Sequence, residues 1–515
     1  MTVIGSMLSL FSKLSIALLP SLVLYSLFQC IYKVFFHPLR HIPGPFFAKF
    51  TRLWLFYHDF GGNPHKHIRE LHQRLGPLVR ISPNEVSIND VRANKWLYSQ
   101  SSPWVKPAYH YKAFQSSPAY SIFTELDPST HASHLRLLAP AFSQARLSTK
   151  EAQALLWEKC KAMVRGIEQK ENEGAVAISL TGVFRSFALD VVTMWTFGRC
   201  ANSLGTFHSD LFEVFDSAAE SVIFFQHIPF LRMLIPYIAP LVPKLVPNKL
   251  LGLYAKQALD QVKAEKNHPC VLSVLASPSW RENRGYSLSD GQIISDGIVI
   301  LAAGADTTAA ALSVGIHHLA RLPHLWARLQ NEIRPVMETL DGNPYIELLA
   351  QLPFLNAVIK EGLRVSCPIR GHMPRVVPAG GWDYGKTHFP AGSVIATSAF
   401  YGCNNEEVFP DPERYDPLRW VQEDTVEMDA HLQPFSRGTR QCIGQNLTLA
   451  MQRIAIANVV HHFHPITVDN TIINTREYVT LLIDSPLELL AISVSAPPIR
   501  AEIWGMILAF GTIIA

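Results

Sequence analysis

The sequence predicts a mainly α-helical domain with small β-sheets, preceded by one N-terminal transmembrane helix. Three observations predict it. Residues 14–32 are nineteen consecutive uncharged residues, close to the roughly 20 that a spanning helix needs. Residues 289–322 form a long apolar run rich in Ala and Ile that stops at Pro323. An apolar helix of that length inside a globular domain has to cross the core. Strand-like runs are few and short, at 78–81, 86–88, 394–396 and 478–483, so helices form the frame and sheets the trim.

The elements follow in order. Lys33, His37, Arg40 and Lys49 come after the apolar stretch, against Lys13 alone before it. Positive residues stay on the cytosolic side, so the bulk of the chain is expected there. A cleaved signal peptide fits less well, because the run is long and no small-residue cleavage site closes it. Residues 41–45, HIPGP, make a stiff non-helical turn suited to a pivot between membrane and domain. Residues 224–246 are apolar but carry Pro229, Pro236, Pro240 and Pro243, which forbid one continuous helix. That segment is either a second membrane-dipping surface or an interior loop. Amphipathic patterns predict helices at 352–365 and 444–460. The division is an anchor at 1–37, one globular domain at 38–500 and an apolar tail at 501–515. The tail is too short to span a bilayer and receives no role.

Composition excludes several classes. A 515-residue chain that is 48% hydrophobic can bury a large core. A net charge of +3 argues against nucleic-acid binding. Seven scattered cysteines, with no CxxC pair, do not make a disulfide framework and point to a reducing compartment. Six of them read as buried and inert. His461, His462 and His464 lack a Cys or carboxylate at zinc-ligand spacing. The sequon at Asn446 lies in a helix expected in the cytosol.

The seventh cysteine differs. Residues 434–444, PFSRGTRQCIG, place Cys442 just before a helix, where free N–H groups lower a thiol pKa. A thiolate is the donor that pushes electron density toward O–O cleavage on a haem iron. Gly438 lets the loop turn, and Gly444 lets backbone approach a flat group closely. Phe435 can wall the sulfur from water, and Arg440 can pair with a carboxylate. Within the long helix lies AGADTT, 303–308. Asp306 and Thr307 sit mid-helix, where propensity does not favour them. A threonine there can bond back to the carbonyl four residues earlier, and an acid beside a hydroxyl can relay protons. Glu361 and Arg364 are spaced i,i+3 on one helix face, ordinarily a solvated pair.

Phe435, Gly438, Arg440, Cys442 and Gly444 match every position of the FxxGxRxCxG loop, so the chain resembles the cytochrome P450 family, with AGADTT similar to its (A/G)GxDTT signature. The resemblance implies the fold of that family, haem b as cofactor and Cys442 as the metal ligand. It makes Thr307 the oxygen-activating threonine and Asp306 the acid that feeds protons, with Thr308 supporting the helix. Glu361 and Arg364 resemble the ExxR motif, whose third member is Arg419 in Pro417-Leu418-Arg419-Trp420, a structural triad despite Leu418. Arg375, after Pro374, reaches a haem propionate. In HASHLRLLAPAFS, 131–143, His131 occupies the family's Trp/His position, but Leu135 stands where an arginine is usual and Arg136 follows. The resemblance therefore leaves two alternatives for that propionate contact, His131 or Arg136, with a surface facing the redox partner as the other role of Arg136. Thr448 and Met451 depart from the usual residues beyond the cysteine without touching the ligand.

The implied function is a haem-thiolate monooxygenase that hydroxylates or otherwise oxidises a lipophilic small molecule with O2 and NADPH-derived electrons. The style resembles fungal microsomal members of secondary metabolism, with terpenoid, polyketide or alkaloid skeletons all open. NADPH-cytochrome P450 reductase is the implied partner, with cytochrome b5 as a further one and the endoplasmic reticulum membrane as the location, single-pass with the catalytic domain cytosolic. A haem-thiolate isomerase or dehydratase needs no proton relay, so Asp306 and Thr307 argue against it. The same pair argues against a haem-binding protein without turnover. On the substrate side, Trp104, Tyr109, Tyr111, Phe114, Tyr120 and Phe123 are candidates, half of them core residues, together with Val299, Ala302 and Ala303.

Overall fold

The computed structural model describes residues 20–493 apart from 22, 116–118, 174–176, 239–247, 266–269, 278–284, 340–344, 467–472 and 485–486. Residues 14–19 and 22 of the expected spanning stretch, Pro240, Pro243 and the tail 501–515 lie outside the described residues. Thirteen helices of eight or more residues are described. They are α1 Val23–Phe36, α2 Leu53–Phe60, α3 Pro64–Leu75, α4 Pro128–Leu138, α5 Lys150–Asn172, α6 Leu180–Phe197, α7 Asp210–His227, α8 Leu231–Ile238, α9 Asn248–Ala264, α10 Asp290–Ala320, α11 Pro323–Thr339, α12 Pro353–Ser366 and α13 Gln445–His462.

The long helix expected at 289–322 is α10, and its ends have local causes. Ser289 accepts the Gln292 N–H while the Gln292 side chain accepts the Ser289 N–H, a reciprocal cap. Pro323 then starts α11. Among the described residues α10 is the one helix long and apolar enough to cross a membrane, but 72% of its most apolar window is buried. It runs between α6, α12 and α13 through the main core. Glycine permits a close approach to α6. A Cβ on Gly304 would lie 2.9 Å from a Val192 methyl of α6. The neighbour that needs the missing side chain at Gly304 is thus a packing helix. The helices expected at 352–365 and 444–460 are α12 and α13, each within two residues of the expected ends.

The largest sheet has four strands in the order β1 Leu78–Ser82, β2 Glu85–Ile88, β7 Val394–Ala396 and β4 Arg375–Val376. β1 and β2 are antiparallel, β2 and β7 parallel, and β7 and β4 antiparallel, with Arg375 opposite Ile395. β4 is an edge strand, and a single bridge, Val105 to Val376, lays the 105–106 segment against it. Smaller sheets pair β5 Trp382–Tyr384 with β6 Thr387–Phe389, β9 Thr475–Glu477 with β10 Leu481–Ile483, and β3 Ile178–Ser179 and β8 Phe463–Ile466 with β11 Glu488–Ser493.

Three sequence expectations need correction. The strand expected at 478–483 covers only its second half, because 478–480 bend away to carry Tyr478 and Val479 into a cavity wall. The 41–45 turn is not a free pivot. The Pro43 carbonyl accepts the Arg80 N–H at 2.7 Å, and a Cβ on Gly44 would meet the Arg80 carbonyl at 2.2 Å, so the turn is docked on β1. Of the six cysteines expected to be buried, Cys160, Cys270, Cys367 and Cys403 are, whereas Cys30 and Cys200 are half-buried.

The proline-rich segment at 224–246 breaks as expected, between His227 and Leu231. Its described part after the break, up to Ile238, is not an interior loop. Phe230, Met233, Leu234 and Tyr237 are exposed. α7 packs on α2 through Phe224, which meets Phe56 and Phe60. α2 in turn exposes Leu53, Tyr57 and Phe60.

Candidate active site

The loop before α13 is held by its own backbone and by the segment at 94–99. The Phe435 carbonyl accepts the Cys442 N–H at 2.9 Å, and the Gly438 carbonyl accepts the Gln441 N–H at 3.1 Å. Asn94 donates to the Gln433 side chain at 3.0 Å. Gly438 has φ +72°, and a Cβ there would lie 2.0 Å from the Tyr98 carbonyl oxygen. Both the turn and the packing therefore require glycine.

Cys442 has accessible surface, yet what it meets is an internal cavity of about 370 Å3, not the outer face. Burial pushes the Cys442 thiol up, opposed by the N–H groups of Gly444 and Gln445. The helix-start effect expected from sequence is present but weaker than the cost of desolvation. A stable thiolate here needs a cation on the sulfur, which is the chemistry of a metal ligand. A Cβ on Gly444 would lie 3.8 Å from that sulfur, so no side chain screens it from this direction.

α10 supplies another wall of the same cavity through Val299, Ile300, Ala303, Gly304, Thr307 and Thr308. Thr307 Oγ1 donates to the Ala303 carbonyl at 2.6 Å, the back-bond expected of a mid-helix threonine. Thr308 is fully buried, with its hydroxyl 3.5 Å from that of Thr448 on α13, so it ties the two helices together. Asp306 is not brought onto the cavity wall. Its carboxylate accepts from Arg185 Nε of α6 at 3.0 Å, and Arg185 also donates to Asp216 of α7 at 2.8 Å. Burial raises the Asp306 pKa, with Arg185 opposing and Asp216 adding to the rise. The result is a chain of charges from the core helix to the half-exposed Asp216.

A third wall is cationic. Arg375 on β4 donates to the Tyr111 hydroxyl at 2.6 Å and the Pro374 carbonyl at 2.9 Å. Arg440 donates to the Glu125 carbonyl at 2.7 Å. His131 on α4 is buried and lines the cavity. Burial, then Arg440 and Lys106, lower its pKa to about 3. Lys106 is the member that sequence reasoning missed. It is 6% exposed, donates to the Phe123 carbonyl at 2.6 Å and lies 4.4 Å from the Tyr111 and Phe123 ring centroids. Burial, then Arg375 and Arg440, hold its pKa well below the usual lysine range. The available signal was a lysine between a tryptophan and two tyrosines in an aromatic stretch. The strand bridge at Val105 is what sets it beside Arg375. Arg136 instead is exposed and donates to Ser133.

Lys106, Arg375 and Arg440 thus line one cavity, and among the described residues no carboxylate makes an ion pair with any of them. Such crowding is costly unless an anion joins it. The residues fit a flat group that carries two carboxylates on one edge and a metal for the Cys442 sulfur.

Outside the cavity, Glu361 and Arg364 are fully buried rather than solvated. Arg364 Nε and an Nη donate to the two Glu361 oxygens at 2.9 and 2.8 Å. Arg364 also donates to the carbonyls of Cys403, Pro412 and Arg414. Arg419 Nε lies 3.6 Å from Glu361, an ion pair without a hydrogen bond, while Trp420 Nε1 donates to Glu361 at 2.9 Å. The indole is therefore a closer partner than the expected arginine. On the substrate side, Tyr111, Phe114 and Phe123 line the cavity, whereas Trp104 is core and Tyr109 donates to Glu85. Val299 and Ala303 also line it, and Ala302 packs on the core.

Comparison with known proteins agrees with this geometry. A family model described as Cytochrome P450 matches residues 42–490. Cytochrome P450 monooxygenase macH of Penicillium terrestre is 31% identical, covering 85% of this chain and 89% of its own. Cytochrome P450 monooxygenase hkm5 of Aspergillus hancockii is 29% identical over 84% and 86%. Cytochrome P450 monooxygenase aflU of Aspergillus parasiticus is 29% identical over 86% and 90%. With its helical frame, its thiol-bearing loop and its cationic wall, the chain belongs to the cytochrome P450 family, as a monooxygenase with haem b for its cofactor.

Proposed function

We propose that Cys442 is the haem iron's ligand and that the enzyme oxidises a lipophilic small molecule of secondary metabolism. The observation that carries this reading is the Cys442 sulfur, backed by two N–H groups, facing the cavity that also holds the Thr307 hydroxyl. Bound haem supplies reductive activation of O2, which consumes two electrons and two protons and delivers one oxygen atom to substrate and one to water. The protein's own residues do the rest. The N–H groups of Gly444 and Gln445 stabilise the anionic sulfur. Arg375, Arg440 and Lys106, with His131, hold the carboxylate edge. Phe435 covers the sulfur, while Gly438 and Gly444 leave room for the loop and the cofactor plane. Thr307 holds a proton at Oγ1, and Asp306 is the acid that supplies the next one, anchored by Arg185, which also holds Asp216. Glu361, Arg364 and Arg419, with Trp420, lock the core behind the loop without touching substrate.

The apolar walls suit a bulky lipophilic substrate, of terpenoid, polyketide or alkaloid type. The similarity to fungal cytochrome P450 monooxygenases supports the monooxygenase reaction itself. Electrons come from NADPH through cytochrome P450 reductase, with cytochrome b5 as a second donor. Residues 1–37 anchor the 38–500 domain to the endoplasmic reticulum membrane, with that domain on the cytosolic face. The exposed apolar side chains of α1, α2 and α8 support a domain that rests on the bilayer.

The test is the spectrum of the reduced, carbon-monoxide-treated protein. A far red-shifted Soret band is expected, and Cys442→Ala should abolish it while the helical circular dichroism persists. Retention of that band in Cys442→Ala, or its absence in folded wild type, overturns the assignment.

A further inference from the structure

One part of the cavity wall differs from the rest in its polar bookkeeping. His110, on the short helix Ala108–Tyr111, and Gln226, in the last turn of α7, both line the cavity. They are 8% and 6% exposed. α7 packs against the Ala108–Tyr111 helix, and the His227 beside Gln226 is near enough to act on the charge of His110. Neither His110 nor Gln226 has a side-chain hydrogen bond within the described residues, although His110 touches the rings of Tyr111 and His372 at centroid distances of 4.9 and 5.6 Å. Buried polar side chains are nearly always bonded, and each exception asks for a partner.

The ionic groups around them are already paired. Asp59 takes His227 at 2.6 Å, and Glu85 takes Arg52 at 2.6 Å and His372 at 3.2 Å. Glu477 takes His65 at 2.9 Å. Apart from Lys106, Arg375 and Arg440, assigned above to the carboxylate edge of the cofactor, an incoming charged group finds no spare counter-ion among the described residues here. Burial, then His372, holds the His110 pKa well below the usual histidine range, so at neutral pH the ring offers one N–H donor and one lone pair. The Gln226 carboxamide offers the same two functions. Together they can take a group that both donates and accepts, or accepts twice.

We propose that His110 and Gln226 form the hydrogen-bonding contact for a neutral oxygen function, a hydroxyl or a ketone, on an otherwise apolar substrate. This rests on the proposed monooxygenase reading and narrows its substrate class. The substrate is an already oxygenated lipophile, held by that oxygen while its hydrocarbon part fills the cavity shared with Thr307 and Cys442. Its supply requires a preceding step that leaves a hydroxyl or carbonyl, such as a carbonyl-retaining condensation or an earlier hydroxylation.

The experiment uses the full haem-loaded chain in detergent and four rigid probes of one shape: biphenyl, 4-hydroxybiphenyl, biphenyl-4-carboxylate and 4-(aminomethyl)biphenyl. Binding is read from the substrate-induced shift of the Soret band at neutral pH. A satisfied hydrogen bond contributes about 0.5–1.5 kcal/mol, so wild type should favour the phenol over biphenyl by up to about tenfold and over both charged probes. The preference should fall to about twofold or less in His110→Phe and in Gln226→Leu, and His110→Gln should restore part of it. Equal binding of biphenyl and phenol, a preference that survives both substitutions, tightest binding of a charged probe, or no binding of any probe overturns the proposal. The carbon-monoxide band of each protein is recorded alongside. Its loss in wild type would sink the haem-thiolate reading, whereas its presence with no phenol preference sinks only the oxygen contact.

Discussion

Glu361→Gln removes one charge from a carboxylate that accepts four hydrogen bonds, from Arg364 twice, from the Asp416 N–H at 2.8 Å and from Trp420 Nε1 at 2.9 Å. Each carboxylate oxygen accepts two of them. A glutamine places an NH2 where one oxygen was, so in either orientation two donors face a donor. Arg364 keeps its charge and is left with backbone carbonyls and one neutral amide oxygen, with none of its side chain exposed. Breaking a buried ion pair from one side costs about 3–5 kcal/mol, a large share of the roughly 5–15 kcal/mol that separates folded from unfolded domains. At about 2.1 cal/mol/K per residue, a cooperative unit of roughly 450 residues has an unfolding entropy near 1 kcal/mol/K. The thermal midpoint of the haem-loaded protein should therefore drop by about 3–5 °C in scanning fluorimetry. Replacing both partners, Glu361→Leu with Arg364→Met, removes the stranded charge and should sit closer to wild type than Glu361→Leu alone. A midpoint for Glu361→Gln within about 1 °C of wild type, or a double variant no better than the single, would refute the argument.

Gly438→Ala meets φ +72° and a carbonyl oxygen at 2.0 Å. It should lose the thiolate Soret band with helical content retained, whereas Gly385→Ala, at φ +59° with nothing within 4 Å, should cost only about 1–2 kcal/mol and keep the band. Thr307→Ala should raise hydrogen peroxide and lower product per NADPH oxidised, and Thr307→Ser should recover most of the coupling; unchanged coupling in Thr307→Ala would remove the hydroxyl from proton delivery. His72 is buried, with one ring nitrogen 2.9 Å from Ser87 Oγ, and burial lowers its pKa to about 4. The unfolded chain, with histidine near 6.5, binds the proton more readily across that window. The contribution of His72 is thus present above about pH 6.5 and lost as pH falls toward 4, on the order of 3 kcal/mol. His72→Gln should flatten the denaturation midpoint against pH between those limits.

Much of the site was legible because it is local in sequence. The loop from Phe435 to Gly444 needs its glycines, cysteine and arginine at fixed offsets, since a turn, a ligand and a helix start are made by consecutive residues. The same holds for Thr307, whose back-bond to Ala303 is a property of one helix turn. The direction of the Asp306 side chain was not legible. One residue along a helix rotates a side chain by about 100°, and only the placement of α6 decides that Arg185 meets it at 3.0 Å.

By itself the sequence determined the helical frame, the thiol-bearing loop, the i,i+3 spacing of Glu361 and Arg364 and the family. Each of these is encoded by periodicity or by short spacing, which a linear chain displays directly. The tertiary structure alone decided which cations share the cavity. Lys106 joins Arg375 and Arg440 because a strand bridge brings Val105 to Val376. Packing likewise decided that Trp420 approaches Glu361 more closely than Arg419 does. It also left His110 and Gln226 on the cavity wall without a side-chain hydrogen bond among the described residues, while the neighbouring acids were paired. Contacts between residues hundreds of positions apart depend on how elements cross, and that is fixed by the shapes that fill the core rather than by any local pattern.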